Sequence, residues 1–198
     1  MVNEVGKKPK LSAPSGTISF SDEDLQGVET PHDNALVINT NIANFSVNRV
    51  LIDNGSFADI IYCNCFEQMG IVKDRLRPFQ GALVGFNGEQ VIAEGTIELP
   101  VTLEDIRYRK TIMTTFCIVK ARSSYNVILG RPFLNSARAI PSSWHVCLKF
   151  LSPKGVGTIQ GNQKVARQCD VGCMKSKNSE VLTTDDPQDP RPRKQKDV

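Results

Sequence analysis

The sequence predicts an all-β domain, a closed or sandwiched arrangement of short strands with one or two small helices. Three observations carry this. Apolar residues alternate with polar ones over short runs, as in Tyr108, Lys110, Ile112, Thr114, Phe116 and Ile118. Turn residues punctuate those runs at regular intervals, with Asn87-Gly88, Pro153-Lys154-Gly155 and Gly161-Asn162 as the clearest. Only two stretches carry helix boundaries, one closed by Gly70 and one opened by Pro132.

Taken in order, Ala35–Ile42 and Ser46–Ile52 flank a tight turn at Ala43-Asn44 and predict a hairpin. Tyr62–Met69 predicts a short helix. Gly81–Phe86 and Gln90–Pro100 flank Asn87-Gly88 and predict a second hairpin. Tyr108–Val119 predicts a long strand and Tyr125–Leu129 a short buried one. Pro132 to about Ala139 predicts a helix. Trp144–Phe150 alternates Trp144, Val146, Leu148 and Phe150 against His145, Cys147 and Lys149, the pattern of a half-buried strand, with Trp144 expected as a core or interface anchor. A last hairpin follows.

The 198 residues suit one domain with tails, since a single core takes roughly 100–150 residues. The expected division is a polar leader over 1–30, a folded domain over 31–152, a hairpin or linker over 153–174, and a disordered tail over 175–198 rich in charge and proline. Within the leader, Ile18 and Phe20 form a lone apolar patch, and neither His32 nor His145 is assigned a role. A hydrophobic content of 40% supports a core. The net charge of +3, from 24 basic and 21 acidic residues, makes no case for nucleic acid on the folded domain. The basic cluster Arg191–Lys196 is diluted by Asp185, Asp186 and Asp189. No stretch reaches the roughly 20 apolar residues of a membrane span. Met1 to Lys10 lacks the apolar region of a secretory signal, so an intracellular, cytoplasmic setting with reduced thiols is expected. Cys63-x-Cys65 and Cys169-x-x-x-Cys173 depart from the C-x-x-C spacing of zinc knuckles and have no histidine nearby, so no metal and no cofactor is read.

One motif carries chemistry. The apolar run Val50-Leu51-Ile52 enters Asp53-Asn54-Gly55-Ser56, which aims a carboxylate out of a hydrophobic layer, with a glycine beside it for a sharp turn. A second apolar strand, Val127-Ile128-Leu129, ends in Gly130-Arg131 without an acid and reads as the support beneath the first. Hydrolysis without a metal or covalent nucleophile needs a base to activate water and an acid to polarise the carbonyl. Two carboxylates roughly 3 Å apart supply both, because one stays protonated. The chain has one such motif; Asp59, Asp74 and Asp105 lack the apolar strand, the glycine or both. A single half-site implies a two-fold dimer with Asp53 of each copy on the axis.

Residues 35–150 resemble a retropepsin-type aspartic protease, and most closely the protease segment of plant Ty3/gypsy-type retrotransposon polyproteins. The resemblance rests on Val50–Ile60, Leu83–Gly88, Gly95–Pro100 and Tyr125–Leu134, in the family's order. It implies a homodimeric, closed β-barrel endopeptidase that acts on peptide or polyprotein substrate, with no membrane partner. Asp53, Asn54, Gly55 and Ser56 would form the catalytic loop, with the Ser56 hydroxyl near the outer oxygen of Asp53. Phe57, Ala58 and Asp59 would border the substrate, and Gly85, Phe86, Asn87 and Gly88 would form a flap over it. Ile128, Leu129, Gly130 and Arg131 would support the loop from below. Two positions depart from the family. Asn54 stands where members commonly have Thr or Ser, and its amide can still bond across a dimer interface. Phe57 stands where retroviral relatives have an acid, which leaves Arg131 to pair with another anion, with Asp59 the candidate. A second reading keeps the barrel as a dimerisation or peptide-binding module without turnover.

Overall fold

The computed structural model describes residues 16–79, 81, 83–84 and 90–180. In chain order the main elements are β1 (Val37–Ile42), β2 (Phe45–Ile52), β3 (Asp59–Tyr62), α1 (Cys63–Gln68), β4 (Leu83–Val84), β5 (Gln90–Val91), β6 (Ala93–Glu104), β7 (Arg109–Val119), β8 (Val127–Leu129), α2 (Arg131–Ala137), β9 (Ala139–Ser142), β10 (Cys147–Ser152), β11 (Gly155–Gln160) and α3 (Gln163–Glu180). Six strands close a barrel in the order β1-β2-β8-β3-β7-β6. A three-stranded sheet, β11-β10-β9, and the two-stranded β4-β5 stem complete the structure.

The alternation that predicted strands also fills the barrel. Ile97, Leu99, Val101 and Leu103 of β6 point inward, opposite Ile112, Phe116 and Ile118 of β7. Lys110 shares the inward side of β7, and its burial is answered by hydrogen bonds. Its Nζ donates to the carbonyls of Ala137, at the end of α2, and Leu151, in β10. The β1–β2 hairpin turns at Ala43-Asn44 as expected, with Ala43 in the left-handed region (φ 53°). Helix α1 ends before Gly70 (φ 63°), and α2 has Pro132 in its first turn.

Two pairings with β8 place the motif strands. Strand β2 runs parallel to β8, with Ile52 beside Leu129, and β3 packs antiparallel on the far side of β8, with Ile60 beside Ile128. The two apolar strands singled out in the sequence are therefore neighbours, and their C-terminal ends lie at the same rim. The β4–β5 stem pairs Leu83 with Val91 and Val84 with Gln90. The expected flap residues Gly85, Phe86, Asn87 and Gly88 lie outside the described residues.

The structure differs from expectation toward both ends. Gly161-Asn162 starts a helix rather than closing a hairpin: Asn162 Oδ1 accepts from the Val165 N–H, an N-cap bond, and α3 buries Ala166 and Cys169. Strands β3 and β9 were not foreseen. Trp144 sits in the turn before β10 rather than in a strand, with 54% of its surface exposed. Residues 16–34 lie against the β9–β10–β11 sheet and α3. Lys149 Nζ pairs with Asp24 (2.7 Å) in a largely enclosed ion pair, and Gln163 bonds the backbone of Glu29 through both ends of its amide. Among the described residues no helix is long and apolar enough to cross a membrane.

Phe150 and Gly157 face each other across β10 and β11, and a Cβ on Gly157 would fall 2.3 Å from the Phe150 ring. That ring is fully buried and has nowhere to go. Gly157→Ala is expected to cost about 1–3 kcal/mol in urea denaturation; an unchanged midpoint would mean that the ring can move aside.

Candidate active site

The chain leaves β2 at Asp53, whose N–H donates to Leu129 O (3.0 Å), the last bond that ties the loop to β8. The loop then folds back on its own acid. Gly55 N–H donates to Asp53 Oδ1 (2.9 Å), and Ser56 Oγ donates to Asp53 Oδ2 (2.5 Å). Each carboxylate oxygen thus has one donor, which fixes the side-chain rotamer and leaves lone pairs on both oxygens for a further ligand. A Cβ at Gly55 would come within 3.1 Å of Asp53 Oδ1, so the glycine expected from the sequence is needed for close approach.

The support beneath is equally tight. Arg131 N–H donates to Ser56 O (2.9 Å). A Cβ on Gly130 would meet Ala58 O at 2.6 Å and Ser56 O at 2.8 Å. Only glycine lets the β8–α2 junction pass under the Asp53 loop. Ile128 and Leu129 hold the strand in place within the core.

Asp59 has a different environment from Asp53. It is 2% exposed, whereas Asp53 is half-buried. Its Oδ1 accepts the Gly130 N–H (2.7 Å). Burial nevertheless dominates and pushes its carboxyl up to about 6. Arg131 is exposed and makes no ion pair with Asp59 among the described residues, contrary to the pairing considered from sequence. Asp59 braces the start of α2 and does not reach the surface beside Asp53. Asn54 and Phe57 are exposed, Phe57 by 58%, and Ala58 is partly covered.

Asp53 and Asn54 open onto a cleft of about 370 Å³ whose other walls include Ala35, Leu36, Pro141 and Ser143. Ala35 and Leu36 arrive through the β1–β2 hairpin, whereas Pro141 and Ser143 come from a distant segment that no local sequence signal marks. Among the described residues no group of three or more His, Cys, Asp or Glu is placed to hold a metal ion. Chemically, the arrangement presents one oriented carboxylate, solvent-facing, on a rigid floor.

No protein-family profile matches the chain, and no curated protein matches it in sequence. Among solved structures it is similar to the retroviral protease-like domain of Ddi1 from Leishmania major, at 18% identity and TM-score 0.47, over 66% of this chain and 95% of that one. It is also similar to the EIAV protease complexed with an inhibitor, at 22% identity and TM-score 0.41, over 58% of this chain and 98% of that one. A third is a retropepsin-like aspartic protease from Rickettsia conorii, at 14% identity and TM-score 0.42, over 62% of this chain and 83% of that one.

Two outcomes test the floor of the site. Gly130→Ala is expected to lose about 3 kcal/mol or more in urea denaturation, because the new methyl meets two backbone oxygens rather than a flexible side chain. Asp59 gives a pH signature. Its folded-state pKa of about 6 lies above the unfolded value of about 3.9. Between these values the folded state holds more protons, so Asp59 favours folding at low pH and that contribution is lost as pH rises from about 4 to 6. Asp59→Asn should flatten this slope, worth up to about 3 kcal/mol, in urea melts at pH 4 and pH 7. Parallel slopes in parent and variant would show that Asp59 is not the group responsible.

Proposed function

We propose that the chain is an aspartic endopeptidase that works as a homodimer, cutting extended peptide within a polyprotein of the retrotransposon kind. The observation that carries this is the Asp53 carboxylate, oriented by Gly55 N–H and Ser56 Oγ, floored by Gly130, and open to a cleft. The sequence motifs quoted above support the polyprotein substrate.

In the proposed reaction two copies bring their Asp53 side chains together on a two-fold axis, where they share one proton. The ionised carboxylate takes a proton from a water molecule as its oxygen attacks the scissile carbonyl carbon. The protonated carboxyl gives its proton to the carbonyl oxygen, which forms a neutral tetrahedral diol. A hydroxyl proton of the diol then returns to one carboxylate while the other protonates the amide nitrogen, and the C–N bond breaks to acid and amine. The pair returns to one shared proton, and its titration belongs to the dyad. The substrate lies extended between the subunits, held by main-chain hydrogen bonds as an added strand. Gly55 and Ser56 keep the acid oriented throughout, which removes reorganisation from the chemical step.

A second reading, a dimeric peptide-binding module without turnover, is favoured by the exposed Asn54 and Phe57, which replace the usual residues of the loop. The purified chain is expected to cleave members of a mixed peptide library between about pH 3.5 and 7. Asp53→Asn should lower the rate by about a thousandfold or more while leaving the dimer intact in sedimentation. Cleavage that survives in Asp53→Asn would overturn the mechanism. A wild-type dimer that binds but never cleaves would favour the second reading, and a persistent monomer would exclude both.

A further inference from the structure

Both histidines of the chain and its single tryptophan meet at one turn, residues 143–146 between β9 and β10. His32 Nε2 lies 3.1 Å from Trp144 O. A carbonyl only accepts, so this nitrogen carries the proton and donates. The His32 ring also stacks on the Trp144 indole, with centroids 6.0 Å apart and planes within 17°. Its Nδ1 is buried with no hydrogen-bond partner among the described residues. The ring thus keeps its place although one acceptor goes unsatisfied, which a solvated surface histidine has no reason to do.

The same turn is gripped a second time. His145 Nδ1 is 2.7 Å from Ser142 Oγ, and the Phe20 ring stacks on His145 at 5.3 Å. Lys149 Nζ lies 5.0 Å over Phe20 while bonding Ser19 O and Asp24. Residues 16–34 therefore clasp the turn from outside. The turn also reaches the wall of the Asp53 cleft through Ser143, with Pro141 of β9 beside it, and Ala35 and Leu36, directly after the clasp, form part of that same cleft.

We propose that His32 is a positioning residue for the Asp53 cleft: through Trp144 it holds the 143–146 turn where the cleft accepts an extended peptide. The proposal rests on the peptide-cleft reading above. It makes the segment before β1 part of the substrate-binding apparatus, although none of its residues is asked to touch the reacting atoms. The effect expected is on how tightly peptide binds, because the clasp shapes a wall and leaves the carboxylate and its donors alone.

The test uses the full chain with His32→Ala and His32→Gln, one cleaved library peptide as substrate, and a statine-containing hexapeptide as a binding probe. His32→Ala is expected to raise KM about fivefold to tenfold with kcat within about twofold, and to shift the emission of Trp144. His32→Gln, whose amide N–H can still reach Trp144 O, should recover most of the KM. Val101→Ala, which opens a cavity in the barrel core on β6 and touches neither the clasp nor the turn, should leave KM unchanged and so separates positioning from stability. Equal KM values for wild type and His32→Ala would overturn the proposal, and an equal loss in His32→Gln would overturn the role of the hydrogen bond. If the wild type binds the hexapeptide without cleaving, the dissociation constant replaces KM: a weakening of about fivefold in His32→Ala supports the proposal and no change overturns it. A wild type that neither cleaves nor binds would remove the peptide-cleft reading and this proposal with it.

Discussion

Gly130 has no room for a side chain, and the candidate site depends on that. Strand β8 reaches its end beside β2, Leu129 level with Ile52, and the next residue must pass directly under the carbonyls of Ser56 and Ala58. The close approach lets Arg131 N–H bond Ser56 O and lets Gly130 N–H bond the buried carboxylate of Asp59. A turn alone would leave the Asp53 loop free to sample many geometries. Crossing it over a second strand from a distant part of the chain converts it into a fixed platform, because every displacement then breaks long-range bonds as well as local ones.

The two acids of this region show how environment divides roles between like side chains. Asp53 keeps one donor on each oxygen and remains accessible. Asp59 is enclosed, bonded to the Gly130 N–H at the start of α2, and shifted up by loss of solvent. A carboxylate that must meet water and substrate has to stay near the surface. One that secures a helix start can be sealed in, at a cost to its charged form that grows with pH.

Much of the barrel could be read directly from the chain. Alternation in β6 and β7, the two-residue turn at Ala43-Asn44, and the caps at Gly70 and Pro132 are local signals, each generated by the residues that form the element. The motif strands were recognisable because burial on both faces forces an unbroken apolar run. The misreadings share a cause. Gly161-Asn162 suits either a turn or a helix start, and the choice falls to α3 because Ala166 and Cys169 find cover on the barrel. Trp144 was expected in a strand, and His32 was assigned no role. Their actual contact joins residues far apart in sequence, which no local pattern encodes.

What the sequence determined by itself was most of the strands, though not β3 or β9, the acid with its glycine and serine, and the second strand meant to lie beneath them. Those follow from side-chain periodicity and backbone freedom, which are properties of neighbouring residues. What only the tertiary structure decided was which distant groups meet: Asp59 with Gly130 rather than with Arg131, the 16–34 segment with the β9–β10–β11 sheet, and Pro141 and Ser143 with the Asp53 cleft. Such meetings depend on how the barrel closes, and the free energy that selects them is spread over the whole core rather than written at any one position.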